Sequence, residues 1–317
     1  MQTILLAEQV QKSYGKKLVL KDVSIGFERA KIYGILGPNG AGKTTFIRML
    51  AGITAPDSGS IYFHGSPVHQ PLATKIGYLP EERGLYRKMK AGEHMVYLAR
   101  LKGLDTREAI SNVSEWFEKL EMTTWWDKPV ETLSKGMQQR LQFVACVVHR
   151  PEILILDEPF SGFDPINAEM ITQSILDLRE EGKTILLSTH DMHSVEKLCE
   201  HVCLIHKGEL VLNAPTDEAR QQFSDELYHI VFIGSQVSLA QCLGHNYEIV
   251  SLEPNGSQFG CKIKAYGQNS SRDLIQRVNG VVEIVAFQKL LPTMHDVFLQ
   301  IVSEDDAFAE DETGMNQ

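Results

Sequence analysis

The sequence predicts an α/β core built on a parallel sheet, followed by a smaller α+β domain, and three observations predict it. Short, unbroken apolar runs such as 153–156 (ILIL) and 184–188 (TILLS) read as strands buried on both faces, as parallel strands are. Those runs alternate with segments of helical period. Past residue 225 the order becomes strand, helix, strand, strand, helix, strand and a final helix, which is the ferredoxin-like arrangement. With 317 residues there is length for two ordinary domains. Apolar residues at 43% and charged residues at 23% exclude fibrous and disordered classes.

The opening segment, MQTILLAEQVQKSYG, lacks the basic start and long apolar stretch of a secretion signal and reads as a first strand. Val23, Ile25 and Phe27 alternate with Ser24, Gly26 and Glu28, a half-buried strand. Lys31 to Gly37 is a buried strand ending at Gly-Pro, and helical period runs from Lys43 to Leu50. Strands follow at 59–64 and 75–79, and 91–126 is mostly helical. Ser134 caps a helix reaching His149, where Arg150-Pro151 stops it. Residues 202–205 and 209–212 form a hairpin about His206-Lys207-Gly208, and 215–225 is a linking helix. In the second domain strands are expected at 227–233, 247–252, 259–265 and 281–287, with Pro254-Asn255-Gly256 as a turn. Helices are expected at 238–243, 271–278 and 293–302. The domains are therefore 1–220, with a helical subdomain at about 84–150, then 221–303, then an acidic tail at 304–317 expected to be disordered.

Lys plus Arg number 31 against 41 Asp plus Glu, a net charge of −10, and six of the excess acids lie in the last fourteen residues. A basic nucleic-acid surface is not expected on such a body. No run approaches the ~20 apolar residues that span a bilayer. The five cysteines are scattered and make no disulfide framework. Cys199 and Cys203 lie near His201 and His206, but their spacing fits no zinc pattern and core packing is the expectation. Together these features predict a cytoplasmic protein.

The strongest local signal is Gly37-Pro38-Asn39-Gly40-Ala41-Gly42-Lys43-Thr44, followed by Thr45, between a buried strand and a helix. Glycines let backbone N–H groups turn inward around phosphate oxygens, and the helix N-terminus favours an anion. Lys43 supplies a positive charge to the β- and γ-phosphates, and the Thr44 hydroxyl suits Mg²⁺. The second signal is Asp157-Glu158 at the end of an apolar strand, where ligands of open α/β sheets lie. Asp157 is the expected metal residue and Glu158 the general base for an attacking water.

In that context the chain resembles the ATPase subunits of ABC transporters over roughly residues 3 to 220. Leu133-Ser134-Lys135-Gly136-Met137-Gln138-Gln139 is similar to the family signature LSGGQ, with Lys135 and Met137 as departures. Ser161-Gly162-Phe163-Asp164 resembles the family's D-loop, and His190 its switch histidine. Tyr14, expected in the loop after the first strand, fits the aromatic that stacks on adenine. Ile76-Gly-Tyr-Leu-Pro80-Glu81 resembles the glutamine loop with Glu81 in place of glutamine, a residue that approaches Mg²⁺ in the family. Similar segments, with a small C-terminal domain, occur in an exporter-type branch described as sodium-efflux or drug-resistance ATPases.

The resemblance implies a P-loop ABC cassette that binds ATP with Mg²⁺ and pairs with a second cassette. ATP at Lys43 of one subunit is then covered by Ser134 and Gly136 of the other, with Gln138 close by. It also implies a separate transmembrane permease, docked by the helical segment 84–130. The rival readings are a soluble ABC protein of translation or DNA repair, and a P-loop phosphotransferase. One cassette without a sustained heptad run disfavours the first. The signature, D-loop and His190 disfavour the second.

Overall fold

The computed structural model describes residues 2–68, 72, 74–81, 84–224, 226–267 and 271–303. The expected disorder of 304–317 lies outside the described residues. Two compact units divide the chain, Met1–Thr216 and Asp217–Ser303.

In chain order the first unit begins with β1 (Thr3–Tyr14), β2 (Lys17–Glu28), β3 (Ile32–Leu36), α1 (Lys43–Leu50), β4 (Ser58–Phe63), β5 (Ser66–Pro67) and β6 (Ile76–Leu79). It continues with α2 (Ala91–Leu101), α3 (Thr106–Lys119), α4 (Lys135–Val147), β7 (Ile153–Asp157), α5 (Pro165–Glu180), β8 (Thr184–Ser188), α6 (Met192–Leu198), β9 (His201–His206), β10 (Glu209–Pro215) and the start of α7 (Thr216–Gln222). One six-stranded sheet has the order β10-β9-β3-β8-β7-β6; it is parallel from β9 to β6, with β10 antiparallel at the edge. Every residue of β3, β7 and β8 is buried, which is why these strands read as unbroken apolar runs. A second, antiparallel sheet has the order β2-β1-β4-β5. Phe46, Ile47 and Leu50 of α1 pack between Leu5, Val23 and Phe27 of that sheet and Ile35, Ile153 and Ile155 of the first. One helix thus ties both sheets together, and its first residue is Lys43.

Helices α2 to α4 bury Met95, Val113, Phe117, Phe143 and Val144. A Cβ on Gly92 would meet the Trp126 ring at 2.3 Å, and one on Gly77 of β6 would meet the Cys146 carbonyl of α4 at 2.2 Å. Gly77 therefore lets the signature helix lie directly on the parallel sheet. No described helix is long and apolar enough to cross a membrane.

The second unit comprises β11 (Leu227–Ile233), α8 (Gln236–Leu243), β12 (Tyr247–Asn255), β13 (Gln258–Ala265), α9 (Ser271–Asn279), β14 (Glu283–Leu290) and α10 (294–303). Its antiparallel sheet has the order β12-β13-β11-β14, the ferredoxin-like topology. Tyr228, Ile230 and Phe232 alternate inward against Leu239, Leu274 and Val278 of the helices. Thr293 and Asp296 cap α10 reciprocally: Asp296 N–H donates to Thr293 Oγ1 at 3.2 Å and Thr293 N–H to Asp296 Oδ2 at 2.9 Å.

The structure departs from the sequence reading at a few points. Pro254 and Asn255 belong to β12 rather than to a turn, because β12 is an edge strand and tolerates a missing N–H. The β9–β10 turn is Lys207-Gly208 alone, both at positive φ, so His206 pairs with Glu209. Tyr14 is the last residue of β1, paired with Lys17, and not a loop residue. Helices α5 and α6 lie outside the expected elements; Asp164 and Asp191 accept bonds from Asn167 N–H and His193 N–H as N-caps, and Pro165 opens α5.

We expect Gly77→Ala to destabilise the first unit by about 1–3 kcal/mol through overpacking, read as a lowered thermal midpoint. An unchanged midpoint would show that α4 can move off β6 freely.

Candidate functional site

Four neighbouring strands, β3, β8, β7 and β6, end on the same edge of the parallel sheet. Their carboxyl ends carry, in that spatial order, the Gly37–Thr44 loop, His190, Asp157-Glu158 and Glu81. Positions as far apart in sequence as Gly37 and His190 thus meet because parallel strands expose equivalent ends.

The loop's path is fixed by its glycines. Gly37 has φ +149, and a Cβ there would lie 2.1 Å from the Ile205 carbonyl of β9. Gly42, the N-cap of α1, has φ +109, and a Cβ there would meet Leu20 at 2.7 Å. No other residue fits either place. Ala41 is buried, while Asn39 and Gly40 are exposed and Pro38 is half-buried at the bend. Lys43 Nζ donates to the carbonyls of Gly37 at 2.6 Å and Pro38 at 3.0 Å. Burial pushes the Lys43 ammonium pKa down, against the opposing pull of Glu158, Asp157 and Glu81. Thr44 and Thr45 follow on the first turn of α1, both half-buried.

Asp157 is 3% exposed, and its Oδ2 has no hydrogen-bond partner among the described residues. Desolvation, with lesser repulsion from Glu81 and Glu158, holds its carboxyl pKa above the ordinary value. A buried carboxylate oxygen left unpaired beside other acids is what a divalent cation would satisfy. Among the described residues no three His, Cys, Asp or Glu side chains converge on one metal position. The donor set of Asp157 with the Thr44 hydroxyl fits Mg²⁺, which keeps several waters and takes its remaining oxygens from phosphate. Glu81 is exposed and lines a cleft of about 220 Å³ with Asp157, Glu158, Lys135 and Gln139.

Glu158 adopts φ +51, a costly conformation for a residue with a side chain, and its N–H crosses to the Ser188 carbonyl at 2.8 Å. Its Oε1 lies 2.8 Å from His190 Nδ1, and Thr189 Oγ1 donates to its Oε2 at 3.4 Å. The Glu158 side chain is 15% exposed and His190 81%. The bond to Glu158 holds the His190 pKa above the ordinary imidazole value. His190 is therefore protonated and paired with the carboxylate below that raised pKa, and the charged pairing is lost as pH rises through it.

Ser134 N-caps α4, its Oγ accepting from Met137 N–H at 3.3 Å, and Asn167 and Phe163 lie at 3.7 and 4.0 Å from a would-be Cβ on Gly136. Gln138 turns back, its Nε2 donating to the carbonyls of Leu133 at 2.9 Å and Val130 at 3.3 Å, so it braces the loop before the helix. Tyr14, 51% exposed, stands at the far end of β1. One group at the site had no sequence signal, Thr189 on Glu158, and Gln139 of the signature-like stretch also lines the cleft. Cys199, Cys203 and His206 are buried in the sheet core.

In Glu158→Gln, where the carboxylate charge is gone, we expect the His190 titration midpoint, followed by NMR, to fall towards the ordinary imidazole value. An unchanged midpoint would mean the two side chains do not meet in solution.

Comparison with known proteins agrees with this geometry. The ABC transporter family model matches residues 20–161, and the C-terminal domain model of DrrA1-3-like ATP-binding proteins matches 215–302. An ABC transporter ATP-binding protein of Bacillus subtilis (strain 168), YhaQ, is 38% identical over 94% of this chain and 98% of its own length. The linearmycin resistance ATP-binding protein LnrL of the same organism is 34% identical over 73% of this chain and 76% of its own. Among solved structures, an ATP-binding subunit of an ABC transporter superposes with a TM-score of 0.65 at 28% identity, covering 70% of this chain and 93% of that one. With a loop shaped by Gly37 and Gly42, a carboxylate pair at the end of β7 and a relative matched nearly end to end, the chain belongs to the ATP-binding proteins of ABC transporters.

Proposed function

We propose that the chain hydrolyses Mg-ATP to drive export through a separate transmembrane permease, working as a homodimer or with a paired ABC subunit that together enclose two nucleotides. The observation that carries the hydrolytic part is the Glu158–His190 contact at 2.8 Å beside Lys43 and Asp157. Glu158 accepts the proton of the attacking water, and His190 orients that carboxylate and reaches the γ-phosphate. Lys43 and the loop N–H groups hold the β- and γ-phosphates, and Mg²⁺, bound by Thr44 and Asp157, would neutralise their charge. Glu81 adds a carboxylate near that metal, and Tyr14 stacks on the adenine. Ser134 and Gly136 of the partner subunit close the site, and the partner subunit's Gln138 keeps their loop in place.

The export direction is supported by kinship with a resistance protein. In this reading the cassette ends near residue 220, and 221–303 is an accessory domain that regulates pairing or selects the permease. The exposed Tyr86, Tyr97 and Leu101 of the helical region are the docking surface for that permease at the cytoplasmic face of the membrane.

The test is affinity purification of the full chain from detergent-solubilised native membranes. We expect a polytopic membrane protein to accompany it and to raise its ATPase rate. Recovery with ribosomes or DNA, and without a membrane protein, would overturn the transport reading.

A further inference from the structure

The end of β1 is held in an unusual way. Its ladder with β2 slips between Val10 and Lys12 and again between Lys12 and Ser13, and its ladder with β4 stops at Gln11 opposite Ser58. Asp57, just before β4, takes over beyond that point. Its N–H donates to the Gln11 carbonyl at 2.9 Å, and its Oδ2 accepts the Ser13 N–H at 2.7 Å. Its Oδ1 accepts from Lys12 Nζ at 2.6 Å, and the same ammonium donates to the Ala55 carbonyl at 2.8 Å. One carboxylate thus fixes both the backbone and the side chain immediately before Tyr14.

Lys12 is only 14% exposed in its side chain, rare for a lysine, and its ammonium lies 5.9 Å from the Tyr14 ring centroid. Residues 12 and 14 share one face of the strand. A cation held there draws on the ring's electron density, which suits the ring to stack on an electron-rich purine. Asp57 also ends the segment that leaves α1, the helix that starts at Lys43. The position of the ring is therefore tied to the same helix that carries the phosphate lysine.

We infer that Asp57 and Lys12 form a positioning pair that sets the Tyr14 ring for the nucleotide base, so that the site prefers a base-bearing triphosphate to a bare phosphate chain. The inference rests on Tyr14 being the stacking aromatic. Neither residue touches the nucleotide; both act through Tyr14.

The experiment is calorimetric titration of the full chain with Mg-ATP and with magnesium tripolyphosphate, which has the phosphates but no base. Asp57→Ala should weaken ATP binding about tenfold, the scale of a lost charged hydrogen bond, with tripolyphosphate affinity within about twofold of wild type. Lys12→Met, which keeps the stem without the charge, should weaken ATP about threefold with tripolyphosphate again unmoved. Tyr14→Ala is the reference. If Tyr14→Ala leaves ATP binding intact, the stacking reading fails and the inference falls with it. If Tyr14→Ala weakens ATP alone while Asp57→Ala and Lys12→Met do not, the stacking reading stands and the positioning role is wrong. Equal losses for ATP and tripolyphosphate in Asp57→Ala would reduce Asp57 to a fold-stabilising residue and overturn the inference.

Discussion

The close approach of three glycines holds the phosphate loop, and the rest of the site is arranged around it. Gly37 lies against the Ile205 carbonyl, Gly42 against Leu20 and the Val19 carbonyl, and Gly208 of the β9–β10 turn against that same carbonyl, where a Cβ would sit at 2.5 Å. Gly208 N–H donates to the Ala41 carbonyl at 3.1 Å, and Lys21 N–H to the Gly208 carbonyl at 2.8 Å. The loop is thus clamped between the parallel sheet and β2 of the antiparallel sheet. With its N–H groups fixed before any anion arrives, the loop needs little reorganisation to bind one.

Charge sets the second constraint. One half-buried lysine stands among Asp157, Glu158 and Glu81, so the local balance is negative even before a polyphosphate approaches. Fixed amide dipoles and a divalent cation would resolve that conflict, and a raised Asp157 pKa with an unpaired Oδ2 is its signature among the described residues. The left-handed backbone of Glu158 serves the same arrangement. It carries Glu158 away from the line of β7 and onto the β8 end, where Thr189 and His190 meet it. Strain there is the cost of directing two adjacent carboxylates to different places.

Much of this was legible in the sequence because the signals were local. The run from Gly37 to Thr44 states its own turn chemistry, and Ser134 three residues before Met137 states its cap. Strands β3, β7 and β8 are buried on both faces, so their apolar runs are unambiguous. What the sequence hid is non-local. Nothing in residues 55–57 points to Lys12 and Ser13, since a side chain standing in for a strand partner leaves no periodic trace. Gln138 reads as a nucleotide residue, yet its amide is committed to the carbonyls of Val130 and Leu133. Helix α5 leaves little periodic signal because its apolar face is weak, although Asp164-Pro165 marks its start.

The central claim is that Glu158 takes the proton of the water that attacks ATP bound at Lys43, and steady-state turnover of Glu158→Gln at saturating Mg-ATP tests it most directly. Glutamine keeps the shape and the contact with Thr189 but accepts no proton. Loss of a positioned general base should lower turnover at least about a hundredfold, with ATP affinity within about threefold of wild type. Wild-type turnover in Glu158→Gln would contradict the account and move the proton acceptor elsewhere.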